Sequence, residues 1–102
     1  MKYEVVNKKD NVEIQLSDSF TFRDSDAFFK VLDMMKKGYS HKTVVFNFSK
    51  CNFIDSAALG LLVITHDVAD ENEIRLVVKG AKDKVRQTMF AARFDTFFDI
   101  KD

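Results

Sequence analysis

An acid and a hydroxyl stand side by side where two apolar runs meet: Asp55-Ser56, inside "NFIDSAALGLLVI" (52–64). Before them the chain reads "TVVFNF"; after them it is again almost wholly apolar. Two kinds of chemistry suit such a pair. If a helix opens here, its first N–H groups lack internal partners and carry the positive end of the dipole. The Ser56 hydroxyl could then serve as an N-cap. The same place could hold a phosphate, because the exposed N–H groups stabilise an anion. A phosphoserine adds about −1.5 to −2 charge, and Asp55 beside it adds repulsion, so any protein resting on this turn would feel the change strongly.

A catalytic serine finds no support. The local string I-D-S-A-A is not the G-x-S-x-G elbow, and Leu59 stands where S-x-x-K would need lysine. His66 lies ten residues into the helix that Ser56 would open, about 15 Å along its axis. His41, in "GYSHK", enters the following strand from its opposite end. With no base in reach the chain is not expected to be an enzyme. Two histidines and the single Cys51 have no metal-ligand spacing. They read as surface imidazoles and a buried or semi-buried thiol, and no cofactor is implied. "VKGAKDK" has one glycine and is no P-loop; its lysines read as a solvated turn.

The elements that must position the seam can be read from periodicity. Val12, Ile14 and Leu16 alternate with Glu13 and Gln15, which is a half-exposed strand, and "YEVV" (3–6) reads as its hairpin partner. "DSFTF" follows as a loop or strand extension. Phe28, Val31, Leu32 and Met35 then form the stripe of an amphipathic helix, capped by Asp24 or Ser25 and closed at Gly38 as its C′ residue. "TVVFNF" (43–48) has little alternation and reads as a central strand covered on both faces. Residues 57–72 suit a helix with Leu61, Ile64 and Val68 in one stripe and Leu62 and Thr65 beside it. "IRLVV" (74–78) is the next strand, ending at Gly80. Residues 82–94 form a last helix with Val85, Met89 and Ala92 inward, and "FFDI" (97–100) is a short strand or a packed tail. Strands alternating with helices imply right-handed crossovers in an α/β fold.

The 102 residues suffice for one domain, 1–102, with one modest core. Hydrophobic residues make up 46%, which favours folding over disorder. Eleven phenylalanines, with no tryptophan or proline, supply much of the core volume and leave no obvious linker. Sixteen basic residues balance sixteen acidic ones, which argues against a dedicated nucleic-acid binder. One cysteine cannot form an internal disulfide. The start "MKYEVVNKKDNVEI" has no apolar h-region, and no run approaches the ~18–20 residues of a membrane span. The expected location is cytoplasmic.

"VVFNFSKCNFIDSAALGLL" resembles the signature of STAS domains, the fold of anti-sigma factor antagonists. In that family a strand of hydrophobics plus Asn or Asp leads through a loop to D-S-[small]-[small]-L-G, which opens a helix. Here those positions are Asp55, Ser56, Ala57, Ala58, Leu59 and Gly60. The strand, turn, helix and "F-x-x-x-F-x-I" tail of residues 74–100 fit as well, so the resemblance spans nearly the whole chain. It departs at Asp18-Ser19-Phe20-Thr21, where the family often has G-x-[LI]-D, and at Ala57-Ala58, where Ser-Gly is frequent. Ala57 leaves one hydroxyl in the turn, and Ala58 favours helix by ~1 kcal/mol over glycine.

The resemblance implies a mixed sheet of four to five strands backed by helices on one side. It also implies partner switching. Ser56 would be phosphorylated by a serine kinase, often itself the anti-sigma-type partner, and freed again by a PP2C-type phosphatase. The unphosphorylated chain would bind its partner through Asp55, Ser56 and residues 57–60, and phosphorylation would release it. The output would be transcriptional, in stress or biofilm genes, with no direct nucleic-acid contact and no membrane insertion. The alternative is an accessory subunit of a lipid-transporting ABC system, in which the same helix packs on the ATPase without a phosphate. A nucleotide- or metabolite-binding domain is a third reading, for which the sequence has no pocket motif.

Overall fold

The computed structural model describes residues 1–101. Strands β1 (Lys2–Asn7) and β2 (Asn11–Phe20) form an antiparallel hairpin. Helix α1 (Ser25–Gly38) leads to β3 (Thr43–Ile54), α2 (Ser56–Glu71) to β4 (Arg75–Lys79), and α3 (Asp83–Ala91) to β5 (Asp99–Lys101). The sheet order is β1-β2-β3-β4-β5, and every pairing after the first is parallel. Each crossover therefore steps to the next strand in the same direction. Right-handed connections then put the three helices on one face, which is the expected mixed sheet with helical backing. "DSF" extends β2, and "DI" with Lys101 forms the final strand.

Val12, Ile14, Leu16, Val44, Phe46, Phe48, Leu76 and Val78 point to the helical face and are buried. Phe28 of α1 fills the space between sheet and helix. Its ring centroid lies 4.9 Å from Phe20 and 6.0 Å from Phe46, within the range of favourable aromatic pairs. The phenylalanine-rich composition thus has a location. The residues between, on the other face, alternate half-buried with buried: β3 is covered fully on one side only, not on both.

Several element details differ from the sequence expectation. Gly38 is the last helical residue, not a left-handed C′, and Tyr39 caps α1 through its N–H to the Met35 carbonyl, 3.2 Å. Asp24 precedes α1 without capping it. It instead closes a capping box with Thr21 around the short 3-10 turn Phe22–Asp24. Ile64 is exposed; Ala58, Leu61, Leu62, Thr65, Val68 and Ala69 make the buried stripe of α2. Ala92 is also exposed, because α3 ends at Ala91 and Arg93 turns left-handed. Periodicity named the right helices but extended their stripes one residue too far around.

Candidate functional site

The turn from β3 into α2 is held at three points. The Asp55 N–H donates to the Phe20 carbonyl at the end of β2, 3.3 Å. Asp55 Oδ1 accepts the Ala58 N–H at 2.8 Å, and Oδ2 accepts the Phe22 N–H at 3.1 Å. Asp55 is therefore the N-cap of α2, and the same carboxylate clips the Phe22–Asp24 turn to the helix start. An aspartate suits this place because its charge complements the dipole.

That assignment answers one question the sequence left open. Ser56 is the first residue inside the helix, not its cap. Its hydroxyl makes no hydrogen bond among the described residues, and the residue is exposed. The rest of the D-S-A-A-L-G string divides between surface and interior. Ala57 and Gly60 are exposed, Leu59 is half-buried and Ala58 is fully buried. The Ala58 methyl packs into the core and cannot itself meet a partner; Asp55, half-buried, already uses both oxygens.

Exposed apolar side chains flank this turn and continue along α2. Phe22 is 62% exposed and Phe53 50% exposed, which is unusual for large aromatics. Val63 and Ile64 are exposed on α2, and with Ser56 and Gly60 they follow helical spacing along one face. Periodicity alone does not single out Phe22 and Phe53. Their signal was present: each sits beside a polar turn residue and outside any helical or alternating stripe.

The histidines stay away from this turn. His41 is exposed before β3 and pairs with Glu73, Nδ1–Oε2 3.0 Å; the length of β3 separates it from Ser56. His66 sits edge-on to Phe97, centroids 5.3 Å apart, midway along α2. Cys51 is buried, its S–H reaching the Phe53 carbonyl at 3.4 Å, and burial pushes its thiol pKa up. It therefore lacks thiolate character.

A second charged group lies on the open face of the sheet. Glu13 is buried there, and its Oε1 is 2.9 Å from Lys79 Nζ and 3.6 Å from Lys8 Nζ. Its Oε2 accepts from Gln15 at 2.9 Å and from Asn47 at 3.4 Å. These partners, Lys79 foremost, hold its pKa down at about 2. Asn47 continues the chain of contacts by accepting the Ser49 N–H at 2.9 Å.

With this geometry in place, comparison with known proteins is decisive on family. The STAS domain model matches residues 2–102. The chain belongs to the STAS family. No curated protein sequence matches it. Among solved structures, this STAS chain is similar to a candidate anti-sigma factor antagonist from Thermotoga maritima, at 23% identity and TM-score 0.83 over 99% of this chain and 85% of that one. It is similar to the anti-sigma factor antagonist SpoIIAA in its unphosphorylated form, at 16% identity and TM-score 0.76 over 99% and 88%. The phosphorylated form of the Bacillus protein matches too, at 13% identity and TM-score 0.73 over 97% and 90%. A sulfate transporter family protein from Wolinella succinogenes matches at 15% identity and TM-score 0.79 over 95% and 80%. At these identities the likeness is one of fold. Among the described residues no helix is long and apolar enough to cross a membrane.

Proposed function

We propose that this STAS domain is a non-enzymatic, cytoplasmic partner-switching regulator whose state is set at Ser56. The unphosphorylated form binds an anti-sigma-type serine kinase or a downstream target; phosphorylation of Ser56 releases it; a PP2C-type phosphatase restores it. The output is control of gene expression, in stress or biofilm formation. One observation carries the reading: the Ser56 hydroxyl is exposed and has no hydrogen bond among the described residues to lose. Asp55 does the capping, so modifying Ser56 leaves the helix start intact. Phe22, Phe53, Val63 and Ile64 supply apolar surface for a protein to cover. A dianion at the helix start beside this surface would oppose that contact through desolvation and through repulsion from Asp55.

The exposed Val63 and Ile64 equally suit permanent docking on a transporter ATPase, and this second reading needs no phosphate. Incubating the protein and a Ser56→Ala variant with host lysate and ATP, followed by intact-mass spectrometry, separates the two. Addition of one phosphate to the wild type alone supports the switch. No addition, with co-purification of a transporter ATPase, supports the accessory subunit. Ser56→Ala should hold its partner constitutively, and Ser56→Glu, with a single charge, should release it only in part. Equal affinity of the two variants would refute charge gating.

A further inference from the structure

Away from the Ser56 turn, positive charge gathers where β4 hands over to α3. Residues 79–86 read KGAKDKVR, with Lys79, Lys82, Lys84 and Arg86 against Asp83 alone, in a chain whose net charge is zero. Lys79 is engaged by Glu13. Lys82, and Lys50 from β3, have no ion-pair partner among the described residues.

Two cavities adjoin at this place. One, of about 240 Å³, is lined by Ser49, Lys50, Asn52, Lys82 and Asp83 among others. The other, of about 390 Å³, is lined by Gly80, Ala81 and Arg86 and shares Ser49 and Lys82 with the first. The Ser49 hydroxyl makes no hydrogen bond among the described residues, its N–H being the group that Asn47 holds. Gly80, whose φ of +76° suits glycine, is among the residues that line the larger cavity. A Cβ there would stand 2.9 Å from the Ser49 Cβ. Both cavities lie past the last β3–β4 pair, Asn47 with Lys79, between the continuation of β3 that β4 does not pair and the end of β4, toward the carboxyl side of the sheet on which ligands settle in open α/β folds.

We propose that this cavity pair binds a small phosphomonoester. The phosphate lies between the Lys50 and Lys82 ammonium groups and the Ser49 hydroxyl, and the organic part occupies the chamber beside Gly80 and Ala81. Two free ammonium groups and a free hydroxyl supply donors for three phosphate oxygens. Asp83 is the acidic side chain among the described lining residues and sets the direction of a control.

The test is amide NMR of the whole chain, titrated with inorganic phosphate and with phenyl phosphate at constant ionic strength. Saturable shifts are expected at Ser49 and at Gly80–Asp83, with phenyl phosphate binding more tightly. Lys50→Ala/Lys82→Ala should weaken binding by roughly tenfold or more. Both lysines are exposed, so the spectrum elsewhere should be unchanged and will report that the variant is folded. Asp83→Asn, tolerant of the left-handed φ of 53°, should tighten binding. Ser56→Ala should bind as the wild type does, which keeps this site separate from the switch. Shifts that do not saturate, that chloride reproduces, or that survive in the double lysine variant would overturn the proposal. So would an absence of any gain for phenyl phosphate.

Discussion

Two strand-to-helix turns lie at the same end of the sheet and are fastened in opposite ways. The β3–α2 turn is locked from the helix side, by the Asp55 carboxylate on the Ala58 and Phe22 N–H groups. The β4–α3 turn is locked from the strand side. Lys79 is tied to Glu13, Asn47 links Glu13 to Ser49, and Gly80 packs on Ser49. Its helix start, at Lys82, has no side-chain cap. The first arrangement leaves a spare hydroxyl beside apolar surface; the second leaves spare cations around cavities. Where a turn spends its carboxylate decides which chemistry remains on offer.

Breaking the strand-side lock should give the largest effect. Gly80→Ala places a methyl 2.9 Å from the Ser49 Cβ and 3.0 Å from the Ser49 N, at a φ of +76°. Left-handed strain and overpacking together should cost about 2–4 kcal/mol, read as a lower urea midpoint. A midpoint within error of wild type would mean that the turn relaxes freely and that the strand-side contacts do not lock it.

Next is Glu13, which anchors the same lock. Its folded pKa of about 2 lies below the ordinary 4.5. A lowered carboxylate pKa stabilises the fold above the unfolded value and loses that contribution as pH falls through the folded value. The window is thus pH 4.5 to about 2. Against Glu13→Gln, the wild type should be more stable by about 2 kcal/mol at neutral pH, and the gap should close across that window. A pH-independent gap would assign the effect to packing instead of charge.

On the helix side, Asp55→Ala removes one cap bond and the tie to Phe22. A loss of about 1–2 kcal/mol is expected, together with faster amide exchange at Phe22 and Ala58. If Phe22 exchange were unchanged, the clip between the two segments would not be an energetic one.

The strands and the α1 stripe were legible because alternation and helical spacing follow from one-sided burial: Val12, Ile14 and Leu16 needed no tertiary information. The seam was legible as a helix start, but not which residue caps it. Asp and Ser both cap well, and the choice here depends on the Phe22 N–H, brought in from 33 residues earlier. Alternation alone puts Glu13 on the solvent side of β2 for the same reason: the partners that cover it, Lys8, Asn47 and Lys79, come from three other segments. Ile64 was misplaced because in a helix apolar on most sides the stripe has no clear edge.

The smallest expected effect sharpens the comparison most. Ser56→Ala, one residue from Asp55, should change stability by no more than about 0.5 kcal/mol, since the hydroxyl is exposed and unbonded. Set beside Asp55→Ala, it separates two neighbours by role: one holds the turn, the other is free to be modified. Denaturant titration of both variants in one buffer measures the difference directly. A Ser56→Ala loss as large as that of Asp55→Ala would show the hydroxyl to be structural. The turn would then have no group to spare for a phosphate.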